Sequence, residues 1–163
     1  MIEAARIHKP SEVELTDLLT VDRVETGCQL SSKKRLMEKI ATLLLQGRGQ
    51  LDRKTVLQTL IERERLGSTG IGNGIALPHG RINGLDDVIG AVAVLANPLQ
   101  YDSMDGKPIK LAFGLLVPAQ ANEQHLKILA HLAQLFGNDL LRTQLFSTQS
   151  NREVFDLLTN WPI

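Results

Sequence analysis

Val88-Ile89-Gly90-Ala91-Val92-Ala93-Val94-Leu95 and Ile109-Lys110-Leu111-Ala112-Phe113-Gly114-Leu115-Leu116-Val117 are two nearly continuous apolar runs, rich in Val, Ile and Leu. A strand with one face in water alternates apolar and polar side chains, so runs that do not alternate belong to strands covered on both faces. Helices must then lie on both sides of the sheet. Between the runs, Asn97 to Pro108 holds Pro98, Gly106 and Pro108 with the acids Asp102 and Asp105, the composition of a loop or short hairpin.

Helical patterns flank these strands. After Ser31 and Ser32, either of which can cap, Leu36, Met37, Ile40, Leu43 and Leu44 fall on one helical face, and Gly47 and Gly49 stop it. Asp52 is the expected N-cap of a second helix with a buried stripe of Val56, Leu57, Leu60 and Ile61 and a polar face of Glu62, Arg63, Glu64 and Arg65. Gly67 offers a left-handed exit just beyond Leu66. Three further patterns run over roughly Asn122 to Phe136, Asp139 to Phe146 and Arg152 to Thr159, the last opened by a capping box of Ser150 and Glu153. Strands interleaved with helices give an α/β fold: one domain over residues 13–163, a central mixed sheet with helices on both faces, behind a flexible N-terminal arm at 1–12 that includes His8.

Composition narrows the function. The 163 residues carry 18 Lys plus Arg against 18 Asp plus Glu, so no basic excess points to nucleic acid or anionic lipid. Cys28 is the single cysteine, which cannot form an internal disulfide and reads as a small buried apolar residue of a cytoplasmic protein. The first ten residues contain no signal-like apolar core, and no apolar stretch is long enough to span a membrane.

The unusual segment is Gly67-Ser68-Thr69-Gly70-Ile71-Gly72-Asn73-Gly74-Ile75-Ala76-Leu77-Pro78-His79-Gly80, in which five of fourteen residues are glycine. Glycines let successive main-chain N–H groups turn inward and form a nest for an anion, most often phosphate. A plain surface turn has the same composition. The segment has no Gly-Lys ending for a Walker loop, and it follows a helix where a dinucleotide fingerprint follows a strand. It does end in a histidine set between proline and glycine. Pro78 stiffens the backbone and Gly80 clears space, which predicts a His79 with access to solvent.

An imidazole near its ordinary pKa of roughly 6.5 can act as base, metal ligand or nucleophile toward phosphorus. For a metal the other candidates are His125 and His131, which lie about 240° apart around one helix and so share no face. No metal and no cofactor are expected. The Gly-x-Ser-x-Gly elbow of a serine hydrolase is absent. Phosphoryl chemistry asks for positive charge and donors, which Arg63, Arg65, Ser68, Thr69 and the glycine N–H groups supply just upstream.

These residues resemble a family. Gly67 to Gly80, preceded by Arg63-Glu64 and followed by Leu115-Leu116-Val117-Pro118 and His125-Leu126, is similar to the enzyme IIA domains of the fructose and mannitol class in the bacterial phosphotransferase system, and most to their nitrogen-regulatory branch. The likeness covers about residues 14 to 160. It implies that His79 accepts a phosphoryl group on Nε2 from a phosphocarrier of the HPr or NPr type, that Arg63 and His125 line the same pocket, and that the phosphorylation state governs binding to regulatory or transport proteins. Ser68, Thr69, Gly70, Gly72, Asn73 and Gly74 are the expected phosphate-binding positions. Two alternatives stay open at this point: a sugar-specific IIA that relays phosphate to a separate IIB subunit, and a module that only binds a small anion, which would require His79 to be buried or dispensable.

Overall fold

The computed structural model of the protein describes residues 14–121 and 123–162; the arm at 1–12, His8 and the proposed Asn122 cap lie outside the described residues. In chain order the elements are α1 (Leu15–Leu18), a 3-10 turn at Val21–Arg23, β1 (Val24–Cys28), α2 (Lys33–Leu44), α3 (Arg53–Leu66), β2 (Gly70–Gly72), β3 (Ile75–Ala76), β4 (His79–Ile82), β5 (Ile89–Leu99), β6 (Ile109–Pro118), α4 (Glu123–Phe136), α5 (Asp139–Ser147) and α6 (Asn151–Asn160).

The two apolar runs are the sheet's centre, β5 and β6, and they pair antiparallel from Ile89 opposite Leu116 to Leu99 opposite Ile109. β1 joins β5 in parallel on one side. On its other side β6 carries β3 and then β4 along the same edge, both parallel, and β2 folds back on β3. The sheet is therefore mixed, as expected. Its alternation sorts the core into two layers. Val92, Val94, Leu111, Phe113, Leu115 and Val117 face Ile128, Leu132, Leu135, Leu141, Leu145 and Val154 of α4, α5 and α6. Ala91, Ala93, Ala112 and Leu116 face Leu36, Met37, Ile40, Val56 and Leu60 of α2 and α3.

The α2 layer sits close because the sheet is small-residued there. A Cβ on Gly114 would stand 2.3 Å from Ile40 Cγ2, nearer than atoms can approach. Gly80 similarly admits Thr59 of α3, whose Cγ2 would lie 2.5 Å from an added Cβ. These two glycines let α2 and α3 settle onto the sheet, and Gly80 thereby brings α3 against the strand that begins with His79.

The caps follow the sequence closely. Ser32, not Ser31, accepts from Arg35 N at 3.1 Å, Asp52 from Thr55 N at 3.1 Å, and Ser150 from Glu153 N at 3.1 Å. The Ser150 box is only half reciprocal, since the Glu153 carboxylate takes the Thr148 hydroxyl, and Thr148 in turn accepts from Ser150 N. The exit from α3 differs from expectation: Gly67 is extended, at φ 161°, and not left-handed. Its N–H still closes the helix on Glu64 O at 3.2 Å, and the chain then runs straight into the glycine-rich segment. That segment is ordered as strands, where composition suggested a loop.

Candidate functional site

His79 opens β4 and pairs with Leu115 of β6, so its side chain leaves the sheet on the α4 face. His125 lies in the first turn of α4, on the same stripe as Ile128, Leu132 and Leu135, and that stripe delivers it to the end of β4. The two rings meet edge to face, with centroids 5.1 Å apart and planes at 64°. Both histidines are buried, a correction to the expectation that His79 would lie open to solvent: its residue exposure is 7%. The space that Gly80 leaves is taken by Thr59 of α3, and His125 of α4 packs against the His79 ring.

The hydrogen bonds fix the chemistry of the ring. His79 Nδ1 lies 2.6 Å from Leu77 O. A carbonyl can only accept, so Nδ1 carries the proton and Nε2 carries the lone pair. Nε2 has no hydrogen-bond partner among the described residues and, unlike both nitrogens of His125, is not sealed from solvent. Burial pushes the His79 pKa down, the Arg63 cation pushes the same way, and the Leu77 bond and the Glu64 charge oppose them. His125 is lowered to about 4 by burial first and then by His79, Arg81 and Arg63. Both rings are thus neutral near pH 7, His125 because it is buried more than because of its helix end.

Arg63 projects from the last turn of α3. It pairs with neither Glu62 nor Glu64, and its Nη1 donates to Gly67 O at 2.8 Å. Its charge reaches both imidazoles. His79 of β4 and His125 of α4 are thus in ring contact, while Arg63 of α3, held at Gly67 O, acts on both through its charge.

The glycine-rich residues do not join them as a phosphate nest. Asn73 and Gly74, with φ of 59° and 81°, are the two central residues of the β2–β3 hairpin, the pattern of a type I′ turn, and Gly72 precedes them at φ 94°. Ile75 pairs with Leu111 and His79 with Leu115, so the turn lies four residues, roughly 13 Å, down β6 from the histidine. The Asn73 N–H is already given to the Asp105 carboxylate at 3.1 Å. Ser68 Oγ donates to Tyr101 O at 3.3 Å and accepts from Gly70 N at 3.2 Å, while Thr69 N and Oγ1 both donate to Glu64. Gly70 passes so near Ser103 that a Cβ would collide with it. The small residues and their donors serve the backbone's own fold, which composition cannot distinguish from a cradle.

Comparison with known proteins shows the family of the chain. The family model described as "Phosphoenolpyruvate-dependent sugar phosphotransferase system, EIIA 2" matches residues 17–161. The chain belongs to that family. It is similar to the nitrogen regulatory protein of Pseudomonas aeruginosa, at 37% identity over 91% of this chain and 96% of the relative. The crystal structure of the nitrogen regulatory protein IIA-Ntr from Neisseria meningitidis superposes with a TM-score of 0.82 at 38% identity, over 88% of this chain and 97% of that one. Mannitol IIA of Escherichia coli shares the fold, with a TM-score of 0.72 at 22% identity over 86% and 98% of the two chains.

Two features of this IIA domain escaped the sequence reading. Arg81 stands two residues after His79 on the same strand, hence on the same face, and its charge reaches His125; period-2 alternation from His79 would have found it. Glu64, assigned to a solvated helix face, has a carboxylate only 7% exposed that accepts from Thr69, Tyr101 and Lys33. Nothing local signals that burial. His131 is half-buried on α4 and off the site, and Cys28 is buried, with a thiol pushed up to about 12 by burial. Among the described residues no three His, Cys, Asp or Glu side chains converge to hold a metal ion, and no helix is long and apolar enough to cross a membrane.

Proposed function

We propose that this IIA domain, spanning residues 13–163, is a histidine phosphocarrier of the nitrogen-related phosphotransferase system, with His79 Nε2 as the phosphoryl acceptor. The observation that carries the reading is the Nδ1–H bond to Leu77 O, which leaves Nε2 as the nitrogen with a lone pair and a route to solvent. A lowered pKa keeps that lone pair unprotonated at neutral pH.

The step is a displacement at phosphorus. The Nε2 lone pair forms the new P–N bond while the bond from phosphorus to the donor breaks, and its electron pair stays with the donor. The proton stays on Nδ1 throughout, donated to Leu77 O. Because Nδ1 keeps its proton, transfer of a PO3⁻ unit to the neutral ring adds a net charge of about −1, with about −2 on the phosphoryl oxygens offset by about +1 on the ring. Arg63 would leave or share Gly67 O to meet that charge, and Arg81 adds to the field; an Arg within about 4 Å would contribute up to roughly 4 kcal/mol before desolvation. A phosphoryl oxygen would also give a nitrogen of His125 the partner it lacks. Ser68, Thr69, Gly70, Gly72, Asn73 and Gly74 act in this reading as framework: the Ser68 hydroxyl and the Thr69, Gly70 and Asn73 N–H groups already have acceptors, and Gly72, Asn73 and Gly74 form the hairpin turn.

The donor is an HPr- or NPr-type carrier protein, and exposed Leu66 beside Arg63 and Leu126 beside His125 give it apolar surface to meet. Targets are regulatory or transport proteins that distinguish the charged from the uncharged form, and the compartment is the cytoplasm, consistent with the free thiol of Cys28. The nitrogen-regulatory names of the relatives support this branch over a sugar-specific relay. Incubation with phosphoenolpyruvate, enzyme I and either carrier, read by intact mass, should give one acid-labile phosphoryl adduct that His79→Ala abolishes. An adduct that survives in His79→Ala, or none with any donor, would overturn the assignment.

A further inference from the structure

Glu64 is the most heavily hydrogen-bonded side chain near the site, yet it touches neither histidine. Its Oε2 accepts from Lys33 Nζ at 2.9 Å and from Thr69 N at 3.1 Å; its Oε1 accepts from the Thr69 hydroxyl at 2.5 Å and from Tyr101 OH at 3.1 Å. Tyr101 is fully buried, its hydroxyl also lies 2.9 Å from Thr69 Oγ1, and Lys33 Nζ sits 4.4 Å from the centre of its ring. Burial alone would raise the Glu64 pKa, but the Thr69 hydroxyl and Lys33 together hold it below the usual range, so the carboxylate is charged.

One path leads from this clasp to the reacting group. Thr69 is held by Glu64 through its N–H and hydroxyl, and its carbonyl accepts from Leu77 N at 2.9 Å. The Leu77 carbonyl in turn accepts from His79 Nδ1–H. The Glu64 carboxylate thus grips, through Thr69 and Leu77, the backbone that holds the His79 ring.

We propose that Glu64, through its clasp on Thr69, is the positioning residue of the phosphoryl site: it sets the ring orientation and tautomer of His79 by way of Leu77. The inference rests on His79 being the acceptor. A carboxylate suits the task because it accepts several hydrogen bonds at once, and charge-assisted bonds to it are the strong ones. Hydrogen bonds that fix an imidazole's tautomer from behind also fix which nitrogen reacts.

Thr69→Val tests this with least damage, since it removes the hydroxyl and keeps the shape and the N–H. Glu64→Gln removes the charge and keeps most of the volume. The readouts are the tautomer of His79, from its ring ¹⁵N shifts, and the rate of phosphoryl uptake from the carrier. We expect both variants to mix the Nε2–H tautomer into the wild-type Nδ1–H state and to slow uptake about ten- to a hundred-fold. Thr69→Ser should restore both readouts. Should either variant fail to fold, the other decides. An unchanged tautomer with uptake within about two-fold of wild type in a folded variant would overturn the inference. Absence of uptake by the wild-type protein would instead overturn the acceptor assignment.

Discussion

His79 and His125 meet edge to face at 5.1 Å, and only one of the four ring nitrogens is both unbonded and open to solvent. That asymmetry suits the two roles proposed above. In the proposed transfer His79 offers the nucleophilic nitrogen, and His125 supplies a neutral ring beside it, able to donate one hydrogen bond as charge develops on phosphorus. An imidazolium at position 125 would be disfavoured by burial and by Arg63 and Arg81, whereas a neutral one is not.

His125→Ala should therefore slow phosphoryl uptake without abolishing it. Loss of one donor to a developing oxyanion costs about a hundred-fold in comparable sites. Time-resolved intact mass with the carrier in excess would show the same final adduct, reached more slowly, and a variant that reached none would make His125 essential.

Stability should fall with acid. The folded pKa of His125 is about 4, below the roughly 6.5 of an unfolded chain, so between these values the unfolded state binds a proton that the folded state does not. Stability from this group is complete above about pH 6.5 and declines as pH drops toward 4, by about 2 kcal/mol at pH 5. Urea unfolding at pH 7.5 and pH 5 should show that loss, and His125→Gln should flatten it.

Gly114→Ala is expected to cost about 1–3 kcal/mol, because the added methyl would overlap Ile40 Cγ2 at 2.3 Å and force α2 off the sheet. Thermal unfolding measures it. Ile40→Ala in the same chain should recover part of the loss relative to Ile40→Ala alone, as removal of the opposing Cγ2 makes room.

Arg23→Met should destabilise the fold by about 2–4 kcal/mol. The Arg23 guanidinium is buried and donates to Gly90 O at 3.0 Å, Leu18 O at 3.1 Å and Gln46 O at 3.3 Å, tying α1, β5 and the end of α2 together. Met fills the space but leaves three carbonyls without that donor. Urea titration would register the change, and a loss under 1 kcal/mol would mean that water replaces the arginine.

Asn73→Ala should lower stability by about 1 kcal/mol, since φ is 59° there and the type I′ turn demands it. Phosphoryl uptake should stay within about two-fold. A larger loss of uptake would place the hairpin turn in the phosphate pocket after all.

Much of the fold is legible because its signals are local. Leu36, Met37, Ile40 and Leu44 report a buried face by their spacing alone, and Ser32, Asp52 and Ser150 mark helix starts by chemistry that acts within three residues. The unbroken runs of β5 and β6 disclose a sheet covered on both faces for the same reason, and the Ser-Thr-Gly to Pro-His segment pointed to His79. The short strands β2, β3 and β4 escaped because five glycines look alike in a loop and in a strand edge. Asn73-Gly74 carries a hairpin signal of its own, and the turn it predicts is there.

Only tertiary structure settles which residues meet. The antiparallel pairing of β5 with β6, the burial of His79 under α3 and α4, the arrival of His125 beside it and the capture of Glu64 by Thr69 and Tyr101 all join residues that are apart in the chain or on faces that periodicity calls polar. Periodicity states that a face is covered but not by what, because the covering element is selected by packing across the whole sheet. The amino-acid sequence thus determines the helices and the central strands, and it singles out the imidazole proposed to react. The folded chain determines which of that imidazole's nitrogens is free, since its tautomer is set by a carbonyl that only the fold holds in place.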